Sequence, residues 1–139
     1  MADNAEKPIV FSSMHGLQQT LGYEAEVYST HADVHLTIEQ SHLNSQGHMH
    51  GGIFCVILDS ACGFAASRAL SDDASQRVVT VSLTTNYLAP GQPGAIVARG
   101  EVVRVGNKTV FCEGKVYDSA GMILATATGV FKKSVKSAK

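Results

Sequence analysis

The stretch from Ile53 to Ala69 constrains the fold most, because nearly every residue in it is apolar or small. It predicts a helix from roughly Gly51 to Leu70 that is apolar on all sides, and such a helix has to be surrounded by protein or lipid. One carboxylate, Asp59, lies in its middle. A buried carboxylate is costly unless it is paired, hydrogen-bonded or used in chemistry. Because the apolar core is short and carries this acid, we expect it not to span a bilayer, and we expect no membrane partner.

Composition narrows the class of protein further. The chain has 139 residues, of which 45% are hydrophobic and 17% charged, with a net charge of −1. This predicts one domain over residues 1–139, with residues 1–8 and 133–139 flexible. No basic face dominates, so nucleic acid is not the expected partner. The N-terminus lacks the order of a signal peptide, and the odd cysteine count (Cys55, Cys62 and Cys112) is typical of free thiols in the cytoplasm.

The segments around the long helix predict a short N-terminal helix and about six strands. Phe11, Met14, Leu17 and Leu21 recur at helical spacing, with a cap at Ser12 or Ser13 and a stop at Gly22. The predicted strands are Tyr23–Ser29, His31–Glu39, Arg77–Leu88, Ala95–Val105, Thr109–Tyr117 and Met122–Lys132. Their short connections predict an antiparallel meander. The expected fold is α+β: a curved antiparallel sheet wrapped around the long helix, which is the hotdog arrangement.

Alternation along Arg77–Leu88 predicts two distinct faces for that strand. One face carries Val79, Val81, Leu83 and Tyr87, and the other carries Thr80, Ser82, Thr84 and Asn86. A polar face this regular either faces water or lines a wet interface.

Two motifs carry a resemblance to a known family. The first is His42-x-Asn44-x-x-Gly47-x-x-His50-Gly51-Gly52, with Asp59 eight residues after Gly51. The second is the strand Val78–Pro90, which ends in an aromatic residue and a proline. Over roughly residues 10–132 the chain resembles the hotdog-fold acyl-CoA thioesterases, in particular the phenylacetate-pathway (PaaI-like) type.

The resemblance implies hydrolysis of an acyl-CoA thioester without a metal or other cofactor. It also implies a homodimer, commonly paired into a homotetramer, with a site shared between two subunits. The residues carried over as catalytic are Asp59, Gly51, Asn44, Thr80 and His50.

The chemistry of these residue types fits that implication. The Gly51 amide at a helix N-terminus can polarise a carbonyl oxygen, and Gly52 beside it is a substrate-binding candidate. Asp59 can act as a general base or as a nucleophile, and the sequence leaves both routes open. The Asn44 carboxamide can hold a carbonyl or a water. His50 is expected to position the loop rather than to transfer protons.

Other parts of the site are predicted from charge and spacing. Asn107, Lys108 and Arg104, with Lys132 and Lys133, are candidates for binding the CoA phosphates. Gly51 and Asp59 are eight residues apart, which is about 12 Å along a helix, so we expect two copies of the helix to build one site.

Three alternatives stay open. His42, His48, His50 and Asp59 could bind a metal, although their spacing matches no familiar zinc pattern. A hotdog hydratase or dehydratase, or a non-catalytic acyl-CoA-binding module, could share the fold.

The acyl group is not specified by the sequence. The small residues Ala61, Gly63, Ala65 and Ala66 leave room beside the helix for a bulky group.

Overall fold

In the computed structural model, residues 6–12 and 16–135 are described. They form a long central helix and a curved antiparallel sheet, as the sequence predicts. The elements in chain order are β1 (Ile9–Phe11), α1 (Gly16–Leu21), β2 (Glu24–Val27), β3 (Ala32–Ile38), a 3-10 turn (Gln40–His42), α2 (Gly51–Leu70), β4 (Val78–Tyr87), β5 (Gly94–Val105), β6 (Thr109–Asp118) and β7 (Ile123–Lys133).

The sheet has seven strands rather than about six, in the order β1-β2-β3-β5-β6-β7-β4. The additional strand is β1, which pairs with β2. The predicted meander is correct for β5, β6 and β7 but wrong for β4, which pairs with β7 at the far edge. Residues 88–93 connect β4 to β5. A six-residue connection spans up to about 20 Å, enough to cross the roughly 14 Å between strands three positions apart.

The N-terminal helix is shorter than predicted. It begins at Gly16, and Phe11 lies in β1 instead. The Phe11 ring stacks on Phe64 of α2, with the ring centroids 4.9 Å apart. Phe11 therefore packs against the long helix and is not part of α1. Met14, the cap proposed at Ser13 and most of the two ends predicted to be flexible lie outside the described residues.

The apolar composition of α2 is explained by its burial against the sheet. Its fully buried side includes Ile57, Leu58 and Ala61, which are 0% exposed. By length and composition alone α2 could cross a membrane, but half of its most apolar stretch is buried inside the protein, where it forms the core of the fold. Under its centre, Gly100 of β5 pairs with Gly114 of β6, and a Cβ on Gly100 would lie 2.5 Å from the Ala61 carbonyl carbon. The helix backbone therefore rests directly on the sheet.

One face of α2 lacks such cover. The half-buried residues Cys55, Val56, Asp59, Ser60, Gly63 and Phe64 recur at helical spacing between the two edge strands: Asp59 bonds Thr80 of β4, and Phe64 stacks on Phe11 of β1. No strand of the described sheet lies beyond β4. The helix therefore has a sheet-covered face and an open face.

A β-bulge in β4 corrects the predicted alternation of that strand. Thr80 pairs with Phe131 and Ser82 with Val130, so Val81 is an extra residue between them. The extra residue reverses the alternation, and Thr80 faces α2 together with Leu83 and Tyr87. The prediction that Thr80 lies on the face opposite Leu83 and Tyr87 is therefore wrong.

Candidate active site

Asp59 lies on the open face of α2, where β4 runs alongside. Its Oδ1 accepts a hydrogen bond of 2.7 Å from the hydroxyl of Thr80. The two residues line a cleft of about 230 Å³ together with Ser60, Gly63, Phe64, Ser67, Val78 and Phe131. The carboxylate is half-buried at this cleft rather than enclosed in the core, because the sheet ends at β4. It is accessible to a small molecule while Thr80 holds one of its oxygens.

The start of α2 is organised by the side chain of His50. Nδ1 of His50 accepts a 2.9 Å hydrogen bond from the N–H of Gly52, and the His50 carbonyl accepts one from Ile53. Because Nδ1 is an acceptor, the proton of the neutral ring is on Nε2. Among the bonds of residues 6–12 and 16–135, none engages the N–H of Gly51. Gly51 therefore presents a donor at the positive end of the helix dipole.

A tyrosine on β4 packs over this helix start, and no role for it was predicted from the sequence. The Tyr87 hydroxyl donates a 2.8 Å hydrogen bond to the Gly51 carbonyl and lies 3.3 Å from Sγ of Cys55. Its ring meets Phe54 edge-on at 5.7 Å. The pKa of Tyr87 is raised to about 12, mainly by the hydrogen bond with Cys55 and, as the second cause, by burial. The sequence signal was the aromatic residue that ends the second motif.

Asn44 lies in the loop before α2, and its side chain is used by that loop. Its Oδ1 accepts hydrogen bonds from the backbone N–H groups of Gln46 and His48, at 2.9 and 3.2 Å. Neither Asn44 nor Gly51 lines the cleft at Asp59. Within one chain Asp59 contacts Thr80, whereas His50 and Gly51 lie at the start of α2 and Asn44 lies in the loop before it.

Two of the three histidines of the metal alternative, His42 and His50, already use ring nitrogens in hydrogen bonds. His42 is 3% exposed, with Nδ1 accepting from the Glu39 N–H and Nε2 donating to the Leu21 carbonyl, both at 3.0 Å. This leaves His42 no lone pair for a metal. The described residues place a different acid–histidine group, Glu26, Asp33 and His35, on β2 and β3. There the Arg99 guanidinium already binds Asp33 through two hydrogen bonds of 2.8 and 2.9 Å.

The predicted phosphate-binding residues are only partly brought together. Asn107 and Lys108 line a cleft of about 420 Å³ with Val79, Lys132, Lys133, Ser134 and Val135. Arg104 does not line this cleft; it pairs with Phe111 on β6. Val79 and Lys132 pair across β4 and β7, and each is the neighbour in sequence of a residue that faces α2. Because successive side chains of a strand point to opposite faces, the basic cleft opens on the face of β4 that points away from α2.

Comparison with known proteins gives the family. The 4HBT thioesterase superfamily model matches residues 46–125, which include the start of α2, Asp59 and Thr80. The chain belongs to the thioesterase superfamily. Its similarity to PaaI-like hotdog thioesterases is thereby confirmed, and its relatives support a hydrolase.

Three similar proteins illustrate the match. A 1,4-dihydroxy-2-naphthoyl-CoA hydrolase of Listeria monocytogenes is 29% identical over 110 residues, 78% of this chain and 88% of that protein. A Bacillus halodurans protein solved with CoA is 33% identical, with a TM-score of 0.71 over 76% of this chain and 69% of that one. The Escherichia coli PaaI protein of the phenylacetic acid degradation operon has a TM-score of 0.76 at 20% identity, covering 86% of this chain and 85% of its own. That last likeness shows the fold alone.

Proposed function

We propose that this thioesterase-superfamily protein is a cytoplasmic acyl-CoA thioesterase that hydrolyses an acyl- or aryl-acyl-CoA to the free acid and CoA. The observation that carries the proposal is the Asp59 carboxylate, which is held by Thr80 at an open cleft on the uncovered face of α2. A carboxylate in that position can act on a bound thioester, whereas a binding module has no need of one.

Asp59 is the reacting group in either of two routes. As a general base it takes a proton from water while the water oxygen attacks the thioester carbonyl; the C–S bond then breaks, and the proton passes from Asp59 to the sulfur of the departing CoA. As a nucleophile it attacks the carbonyl itself, releases CoA and leaves an anhydride that water cleaves. Thr80 occupies Oδ1 in both routes, which leaves Oδ2 to face water or the carbonyl.

The Gly51 N–H is the proposed donor to the carbonyl oxygen as negative charge develops on it. Asp59 of the same helix is about 12 Å further along the axis, too far to serve the same carbonyl. We therefore place Gly51 and Asn44 of one subunit opposite Asp59 and Thr80 of another. The open face of α2 and the ten-residue edge strand β4 are the surfaces that a second subunit would cover. The proposed assembly is a homodimer that pairs into a homotetramer.

The proposed substrate class, acyl-CoA, is supported by a positively charged cleft and by what two relatives act on or bind. The Listeria relative is named as a hydrolase of a CoA thioester, and the Bacillus relative was solved with CoA. Lys108, Lys132 and Lys133 give one cleft a positive charge suited to CoA phosphates. The cleft at Asp59 has an apolar lining, including Phe64, Val78 and Phe131, suited to the acyl group. No cofactor beyond the CoA of the substrate enters this proposal.

The test is a panel of phenylacetyl-, hydroxybenzoyl-, short-, medium- and long-chain acyl-CoAs with thiol release as the readout. We expect turnover of at least one member, and a loss of about 10²–10⁴-fold in kcat for Asp59→Asn, the range for a lost acid–base group. Asp72→Asn is the matched control, because Asp72 is exposed and bonds only Arg68 among the described residues. Tight acyl-CoA binding without thiol release would instead identify a binding module, and near-normal turnover by Asp59→Asn would refute the role of Asp59.

A further inference from the structure

The peptide unit between Gly51 and Gly52 is held at both of its polar atoms by side chains. Its carbonyl accepts the 2.8 Å hydrogen bond from the Tyr87 hydroxyl, and its N–H donates the 2.9 Å hydrogen bond to Nδ1 of His50. The two side chains come from different elements, His50 preceding α2 and Tyr87 ending β4. The first peptide of the helix is thereby fixed to the edge strand.

Such fixing matters at this point of the chain. Two consecutive glycines have the greatest backbone freedom of any pair, and the first turn of a helix lacks the full set of intrahelical bonds. The Gly51 N–H is the next donor along the backbone from the clamped peptide. Since catalysis depends on placing such a donor to within a fraction of an ångström, its direction needs an external support.

We propose that Tyr87 is a positioning residue that aims the Gly51 N–H at the thioester carbonyl by holding the Gly51–Gly52 peptide in place with His50. This inference rests on the proposed thioesterase activity. Tyr87 acts through Gly51 and takes no part in bond making.

Two further features suit Tyr87 to this role. Its hydroxyl, like that of any tyrosine with a pKa at or above the ordinary 10.0, stays protonated and therefore a donor throughout the neutral range. Its ring also lies against the helix start, since a Cβ placed on Gly51 would be 3.4 Å from Cζ and Oη of Tyr87. Ring and hydroxyl thus leave little space for Gly51 to shift toward β4.

The test compares Tyr87→Phe, which keeps the ring and removes only the hydroxyl, with Tyr117→Phe. Tyr117 lies on β6 and its hydroxyl makes no hydrogen bond among the described residues. With the best acyl-CoA of the panel, we expect Tyr87→Phe to lower kcat about tenfold and to leave KM within about twofold, because the lost support acts in the transition state. We expect Tyr117→Phe to match the wild type in both constants.

A second readout does not depend on activity. In protein labelled with ¹⁵N-glycine, amide hydrogen exchange at Gly52 should become several-fold faster in Tyr87→Phe and stay unchanged in Tyr117→Phe. Unchanged Gly52 exchange in Tyr87→Phe would overturn the clamp even if the enzyme is active. Faster exchange with an unchanged kcat, or a rise in KM alone, would overturn the positioning role. A wild-type protein that hydrolyses no member of the panel would refute the proposed function, which is a distinct outcome.

Discussion

Replacing Gly100 by alanine tests how α2 is seated on the sheet. The new Cβ would lie 2.5 Å from the Ala61 carbonyl carbon and 2.6 Å from the Cys62 nitrogen. Both neighbours are backbone atoms, so no side-chain rotation relieves the overlap, and the helix has to move away from β5 by about 1 Å to reach normal contact distance. Overpacking of this kind costs about 1–3 kcal/mol or more, and we expect the upper end, about 3 kcal/mol.

The measurement is thermal unfolding together with urea unfolding of wild type and variant. For a chain of this size, about 3 kcal/mol corresponds to a fall of roughly 10 °C in Tm. Gly63→Ala is the matched control on the helix itself, because its Cβ would meet only Phe131 at 3.6 Å and Val78 at 4.0 Å. There we expect a change in the free energy of unfolding far smaller than for Gly100→Ala, because the new Cβ meets only side-chain atoms at ordinary contact distance. A free energy of unfolding for Gly100→Ala within about 0.5 kcal/mol of wild type, the range of harmless surface changes, would refute the close seating of α2.

Two more expectations follow from the described contacts. Thr80→Val removes the hydroxyl that bonds Asp59 while keeping the side-chain shape. We therefore expect kcat to fall about tenfold with an unchanged Tm. A normal kcat would contradict the view that Thr80 supports Asp59. Burial raises the pKa of Cys112 from its ordinary 9.0 to about 12, so the folded chain keeps a proton that the unfolded chain loses. The free energy of unfolding, measured with urea, should therefore decline as the pH rises from about 9 to 12. In Cys112→Ala the decline with pH should be less steep. Equal declines in the two proteins would contradict the raised pKa of Cys112.

The central helix and most strands were predictable because their signals are local. The apolar run starting at Ile53 specified α2 to its ends, and the turn residues separated β5, β6 and β7. The place of β4 was not predictable, because a connection of six residues can join neighbours in a sheet or strands that lie apart. Phe11 was assigned to a helix by its spacing, whereas in the structure its contact with Phe64 lies more than fifty residues away along the chain.

The candidate site shows the same division between local and distant information. Motif spacing selected Asp59, Gly51 and Thr80 as candidates, and the structure brings Asp59 and Thr80 into contact. The partnership of Tyr87 with Gly51 could not be predicted, since it joins an edge strand to a helix start across 36 positions. Arg104 was chosen for its charge alone, and charge does not specify which side of a strand end a residue occupies.

The bulge at Val81 affects how this chain should be aligned with its relatives. Thr80 and Ser82 pair with adjacent residues of β7, so Val81 is the surplus position in that stretch. A homologue lacking one residue here would form a regular ladder and still turn the equivalent of Thr80 toward the helix. An alignment that forbids a gap within the strand would instead match Thr80 to an outward-facing position. In this segment the deletion of one residue preserves the geometry of the site. A gap placed at Val81 in an alignment therefore matches Thr80 to the position that is structurally equivalent to it.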